Sequence, residues 1–115
     1  MSCLFCSIAT KEIPASIRYE DDDCVAFDDI HPKAPTHVLV VPKAHIPSVR
    51  ELTANDAALV GRLVLVARQL AEDAGIGERG YKLVMNCGKE GGQVVPHLHL
   101  HLLGGKPLQG MSEEV

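Results

Sequence analysis

Residues 96–105, PHLHLHLLGG, gather three of the chain's six histidines, with His97, His99 and His101 alternating with Leu98, Leu100 and Leu102. Side chains on an extended strand alternate between its faces, so the imidazoles share one face and the leucines the other. The leucine face is predicted to be core. The imidazoles then form a row with neighbours roughly 6.5–7 Å apart. A single histidine at such a position would be an ordinary half-exposed residue. Three in strict alternation, with no Thr, Lys or Glu among them, argue against that reading. A collinear i, i+2, i+4 set also converges poorly on one metal ion, whose tetrahedral ligands usually come from separate elements. What remains is nucleophilic chemistry. A neutral imidazole, with an unperturbed pKa near 6.5, attacks well once an acceptor holds its other nitrogen and fixes the tautomer. Its neighbours can contact anionic oxygens or protonate a leaving group. Phosphorus is the natural electrophile. The turn GKEGGQ, residues 88–93, lies just upstream and offers glycine N–H groups suited to phosphate, although such a turn alone is usually a hairpin connection.

A short chain must position these groups. At 115 residues it is predicted to form a single domain, 1–115, able to bury a core without disulfides. Hydrophobic residues make up 46%, but there is no Trp and only two Tyr and two Phe, so the core must be Val, Leu, Ile and Ala. A net charge of −4 with no basic run argues against a nucleic-acid surface. No apolar stretch is long enough to span a membrane, and MSCLFCSIATK lacks a secretory pattern. The expected location is the cytoplasm. There, four cysteines serve as metal ligands or packing residues rather than as a disulfide framework.

The elements follow from periodicity and breakers. CLFCSIATKEIP is predicted to be a short helical turn ending before Pro14. SIRYEDD and CVAFDDI read as strands around an acidic turn at Asp21–Asp23. HPKAPT is a loop, and HVLVVPK a buried strand. Thr53 and Asp56 have capping-box spacing and open a helix running to about Ala74, stopped by Gly75 and Gly77. GYKLVMN and VVPHLHLHLL complete the strands. Strands that mostly follow one another, with one main helix, predict an α+β domain around an antiparallel sheet. On the helix, Leu59, Leu63, Val66 and Leu70 form one apolar stripe, and Val60, Val64, Ala67, Ala71 and Ala74 a second. Together they exceed what one sheet needs: either the helix is sunk in its own core, or, as so small a domain favours, one stripe packs on the sheet and the other on a second copy of the chain.

The run His97-Leu98-His99-Leu100-His101-Leu102-Leu103 resembles the His-φ-His-φ-His-φ-φ signature of the histidine triad family of nucleotide hydrolases and transferases. The segments KEIPASIRYEDDDCVAFDDI, KAPTHVLVVPKAHI, GYKLVMNCGKEGGQ and HLLGGKPL resemble its Hint-like branch. The resemblance implies a five-stranded antiparallel sheet with one long helix and a short N-terminal helix, and a homodimer joining two sheets into ten strands. It implies a purine nucleoside phosphoramidase, a hydrolase of the P–N bond in AMP or GMP amides, with a covalent nucleotidyl-His99 intermediate. His101 and His37 would assist at the α-phosphate. Asn86 and Gly92 would hold phosphate or ribose oxygens, and Asp29 the ribose hydroxyls. Phe5, Ile8, Phe27, Ile30 and Leu39 would form the apolar slot for the base. His101, where uridylyltransferase relatives carry Gln, favours hydrolysis over transfer. Val94 stands where many Hint relatives have Ser, so a donor near the leaving group is missing. The ending KPLQGMSEEV lacks the aromatic tail of some relatives. The alternatives are a dinucleoside polyphosphate hydrolase, against which the LLGGKPL ending argues, and a nucleotide-binding interaction module with incidental hydrolysis.

Cys3 and Cys6 form C-x-x-C, which alone is half a zinc site or a pair of small buried hydrophobes. Some bacterial members of the family complete a closed structural zinc site with two histidines, which here would be His45 and His97. No organic cofactor is expected. Cys24 and Cys87 are predicted to be packing residues, and His31 an ordinary surface residue.

Overall fold

The computed structural model describes residues 3–108. The part of KPLQGMSEEV beyond Leu108, read above as lacking an aromatic tail, lies outside the described residues. In chain order come helix α1 (Leu4–Ala9), strands β1 (Ile17–Glu20), β2 (Cys24–Asp28) and β3 (Thr36–Pro42), helix α2 (Ala57–Asp73), and strands β4 (Tyr81–Val84) and β5 (Leu100–Gly104). The strands form one antiparallel sheet in the order β1-β2-β3-β5-β4. No described helix is long and apolar enough to cross a membrane.

Local chemistry explains these elements. Asp21 closes the β1–β2 turn by accepting from the N–H groups of Asp23 and Cys24, and Arg62 on α2 pairs with the same carboxylate at 2.7 Å. The capping box forms as the spacing predicts: the Thr53 N–H donates to Asp56 at 2.8 Å. It caps a 3-10 turn over Ala54–Asp56, and α2 proper begins at Ala57. Gly75 ends the helix at φ +76°, a conformation that a side chain disfavours.

The sheet is covered on both faces. One side packs on α2: Leu98, Leu100 and Leu102 join Val38, Val40, Leu63, Val66 and Ala67 in the main core. On the other side Phe5 and Ile8 of α1 pack with Val25, Phe27, Leu39 and Val41. Burial of such apolar surface is the principal stabilising term, at roughly 25 cal/mol per Å².

Three expectations need correction. The core face of α2 is neither predicted stripe. Leu63, Val66, Ala67 and Ala71 are buried, drawn from both, while Val64 and Leu65 are 39% and 57% exposed. Small residues at 67 and 71 let the helix roll so that Leu63 and Val66 reach the sheet. The last strand is also shorter than the alternation suggests, because the β3–β5 ladder ends at the Val40–Leu100 pair. Pro42 has no N–H to extend it, and the Leu98 N–H donates to Ile46 instead. Finally, Cys87 is exposed. It follows the end of β4, where the turn toward Gly92 leaves no layer over it. Cys24 is fully buried as predicted, and burial pushes its thiol up to about 12.

Candidate active site and metal centre

The sheet face opposite α2 carries a cleft of about 840 Å³. Its floor includes His37 on β3 and His101 on β5, with His99 just before that strand. The His99 and His101 ring centres are 5.0 Å apart, closer than the strand rise alone gives, and the rings meet edge to face at 66°. His99 and His37 are buried, at 7% and 4% exposure.

Hydrogen bonds assign each imidazole its proton. His99 Nδ1 lies 2.6 Å from the backbone oxygen of His97. A carbonyl only accepts, so Nδ1 carries the proton and Nε2 keeps its lone pair. At His37, Nδ1 accepts from the Lys33 N–H at 3.1 Å, which puts the neutral ring's proton on Nε2. That Nε2–H faces His101 Nδ1 at 3.0 Å, with an Asp29 oxygen 3.4 Å away. His101 Nδ1 is then the acceptor, and its own proton sits on Nε2. The cleft thus contains one imidazole with a free lone pair and one with a free N–H. Burial pushes the His101 pKa down to about 4, with His99 and His37 adding repulsion to its charged form. Burial likewise holds His37 below the usual histidine value, partly opposed by Asp29.

The remaining predicted residues fall around this centre. Phe5, Ile8, Phe27 and Leu39 make a buried apolar wall at one end of the cleft. The Phe5 ring meets His99 edge-on, with centres 5.1 Å apart. Ile30 and Val94 line the cleft at its rim, 81% and 90% exposed, so Ile30 is no closed wall. Asp29 lines the cleft, and one of its oxygens takes the His31 N–H at 2.8 Å. Asn86 and Gly92 also line it; the Asn86 amide donates to Gly91 at 2.8 Å, holding the glycine turn in which Gly92 sits at φ +83°. His31 is exposed as expected, at the rim of the same cleft. Sequence reasoning missed the backbone groups of His97, Pro42 and Lys33, which carry no side-chain signature. It also missed Ile13, Ala15 and Val95, which extend the apolar end.

His97 points elsewhere. Its Nε2 donates to the Pro42 oxygen at 2.8 Å, leaving a lone pair on Nδ1. That Nδ1 lies 3.4 Å from Cys3 Sγ, 3.6 Å from Cys6 Sγ and 3.1 Å from His45 Nδ1, and Cys6 Sγ is 3.4 Å from His45 Nδ1. Four donors around a tetrahedral zinc would stand roughly 3.3–3.8 Å apart given usual bond lengths. The donor set and the bond from His97 to the Pro42 carbonyl fit such an ion, and three of the four distances fall in that range, the two imidazoles standing slightly closer at 3.1 Å. Burial raises the Cys6 thiol, and neighbouring Cys3 raises it further, so a cation would favour the paired thiolates. Cys3, Cys6, His45 and His97 could therefore hold a metal ion.

The HIT domain family model matches residues 10–108. This chain belongs to the histidine triad family. It is 48% identical over 108 residues to a purine nucleoside phosphoramidase of Escherichia coli, covering 94% of this chain and 91% of the relative. Among solved structures, a HIT family hydrolase from Legionella pneumophila superposes with a TM-score of 0.93 at 46% identity, covering 94% of this chain and 96% of that one. A zinc-bound histidine triad family protein from Mycobacterium smegmatis aligns with a TM-score of 0.80 at 31% identity, covering 92% and 76% of the two chains.

The depressed His101 pKa sets a pH dependence. The native ring resists a proton that the unfolded chain accepts near 6.5, so the unfolded state binds more protons between those values. Stability from this group is complete above about 6.5 and falls as pH drops toward about 4. The expected result is that His101 ¹⁵N ring shifts stay neutral until pH approaches about 4. His101→Gln should flatten that part of the stability profile. A ring that charges near 6.5 would refute the assignment.

Proposed function

We propose that this histidine triad protein is a purine nucleoside phosphoramidase acting through a covalent nucleotidyl-His99 intermediate. The observation that carries the reading is the 2.6 Å bond from His99 Nδ1 to the His97 carbonyl, which leaves Nε2 as a nucleophile at the floor of the cleft. His99 Nε2 attacks the α-phosphorus and the P–N bond breaks. The leaving amine takes its proton from the His101–His37 pair, which the bound phosphoryl anion helps to charge. Water then attacks the phosphorus and gives its proton back to the His101–His37 pair, the P–Nε2 bond breaks, nucleoside monophosphate leaves, and the Nε2 lone pair is restored.

The apolar wall of Phe5, Ile8, Phe27 and Leu39 suits a purine face, and the Asp29 carboxylate suits a ribose diol. Asn86 and the turn at Gly92 offer N–H groups to phosphate oxygens. Ile30 would complete the base slot at its open rim, and Val94 would stand near the mouth where the amine leaves. Cys3, Cys6, His45 and His97 would hold a structural zinc ion, closed to substrate, which supplies cross-linking rather than chemistry. We read the chain as a single HIT domain of the cytoplasm, where free thiols persist, acting on AMP and GMP derivatives and on neither nucleic acid nor membrane.

We also infer a homodimer. β4 is an edge strand, and exposed Val64, Leu65 and Leu83 leave apolar surface beside it. A second copy would pair the edges into a ten-stranded sheet.

Replacing His99 with Ala should lower AMP release from adenosine 5′-phosphoramidate by about 10⁴-fold or more, with AMP binding retained. A mutant that keeps most of the activity would remove His99 from the nucleophile role. Sedimentation should give a dimer for the wild type and a shift to monomer for Leu65→Glu. A monomeric wild type at micromolar concentration would contradict the dimer.

A further inference from the structure

We propose that Cys3 and Cys6, with their metal, are positioning residues for base recognition: the ion clamps α1, and α1 presents the side chains that grip the purine. This inference rests on the zinc and nucleotide readings above and goes beyond a purely structural staple.

α1 has six residues, and Cys3 at its start makes no side-chain capping bond. A helix of that length does not hold itself together in water. Its place on the sheet therefore depends on what its side chains reach. Phe5 lies between Cys3 and Cys6 in sequence, and its ring packs edge-on to Phe27 at 5.4 Å and to His99 at 5.1 Å. The two sulfurs reach past it to His45 beyond the end of β3 and to His97 before β5. Thr10, at the far end of α1, bonds only back to oxygens of Cys6 and Ser7, within the same segment. The Lys11–Glu20 pair that follows is exposed, so it anchors weakly.

The apolar wall and the metal cluster thus share one small, weakly self-supporting element. Cross-linking its first turn to the sheet keeps Phe5 and Ile8 at the height where a planar base would lie. The phosphate side of the cleft is built differently. His37 on β3 accepts from the Lys33 N–H, His101 on β5 accepts from His37, and Asn86 after β4 donates to Gly91. His99, just before β5, is set by the carbonyl of His97, whose ring is also tied to Pro42 independently of the ion. Loss of the ion should therefore weaken contacts to the base and spare contacts to the phosphate.

The experiment titrates AMP and ribose 5-phosphate, by calorimetry, into metal-loaded protein of measured zinc content, into chelated protein and into Cys6→Ser, with circular dichroism confirming a folded sheet. Chelation and Cys6→Ser should each weaken AMP by about 10-fold, equivalent to about 1.4 kcal/mol, and leave ribose 5-phosphate within about twofold. Phe5→Ala in metal-loaded protein should weaken AMP similarly, and chelation should then add little, as expected for coupled groups. Unchanged AMP affinity after zinc removal would overturn this inference alone. So would an equal loss for both ligands in folded protein. Protein carrying no stoichiometric zinc would instead refute the zinc reading, and the inference with it.

Discussion

One hydrogen bond organises the site: the His99 Nδ1–H donated to the backbone carbonyl of His97 at 2.6 Å. It decides which nitrogen of His99 carries the lone pair. Its acceptor is a main-chain atom, so the direction of the bond depends on how the chain runs between Pro96 and Leu100. That path is held from three sides. The His97 ring is tied to Pro42, the Leu98 N–H to Ile46, and the Leu98 side chain is sunk in the α2 core. The early end of the β3–β5 ladder is thus part of the device. A regular ladder would pair residue 98 with residue 42, and Pro42, unable to donate, instead offers its carbonyl to His97.

The second constraint is the scarcity of protons in the cleft. Each buried imidazole shares a bond with a group of fixed character: a carbonyl for His99, a backbone N–H for His37. The tautomers then follow one from another along Lys33, His37 and His101. Burial disfavours the charged forms of His37 and His101. An incoming phosphoryl group changes that balance at the moment a proton is needed, so the same low dielectric that suppresses charge in the empty cleft sharpens the response to substrate.

Much of this was legible in the residues. Alternation in PHLHLHLL placed the leucines in the core and the histidines on the opposite face, and β1 to β3 follow the runs that predicted them. The four metal-binding candidates converge as the family resemblance implies. The roll of α2 was not legible, because two apolar stripes are equivalent until the sheet selects small residues at Ala67 and Ala71 for close approach. The short last strand was hidden because alternation persists from His97 to Leu102 while the ladder partner changes. Nor do backbone acceptors appear in a string of side chains: the His97 and Pro42 oxygens are visible only once the chain is folded.

The tautomer of His99 tests the account most directly. Long-range ¹H–¹⁵N correlation on histidine-labelled protein near neutral pH reports which ring nitrogen is protonated. The expected result is a proton on His99 Nδ1, donated to the His97 carbonyl, and a bare Nε2. A His99 protonated on Nε2, with Nδ1 bare, would contradict it, since no nucleophile would then face the phosphorus.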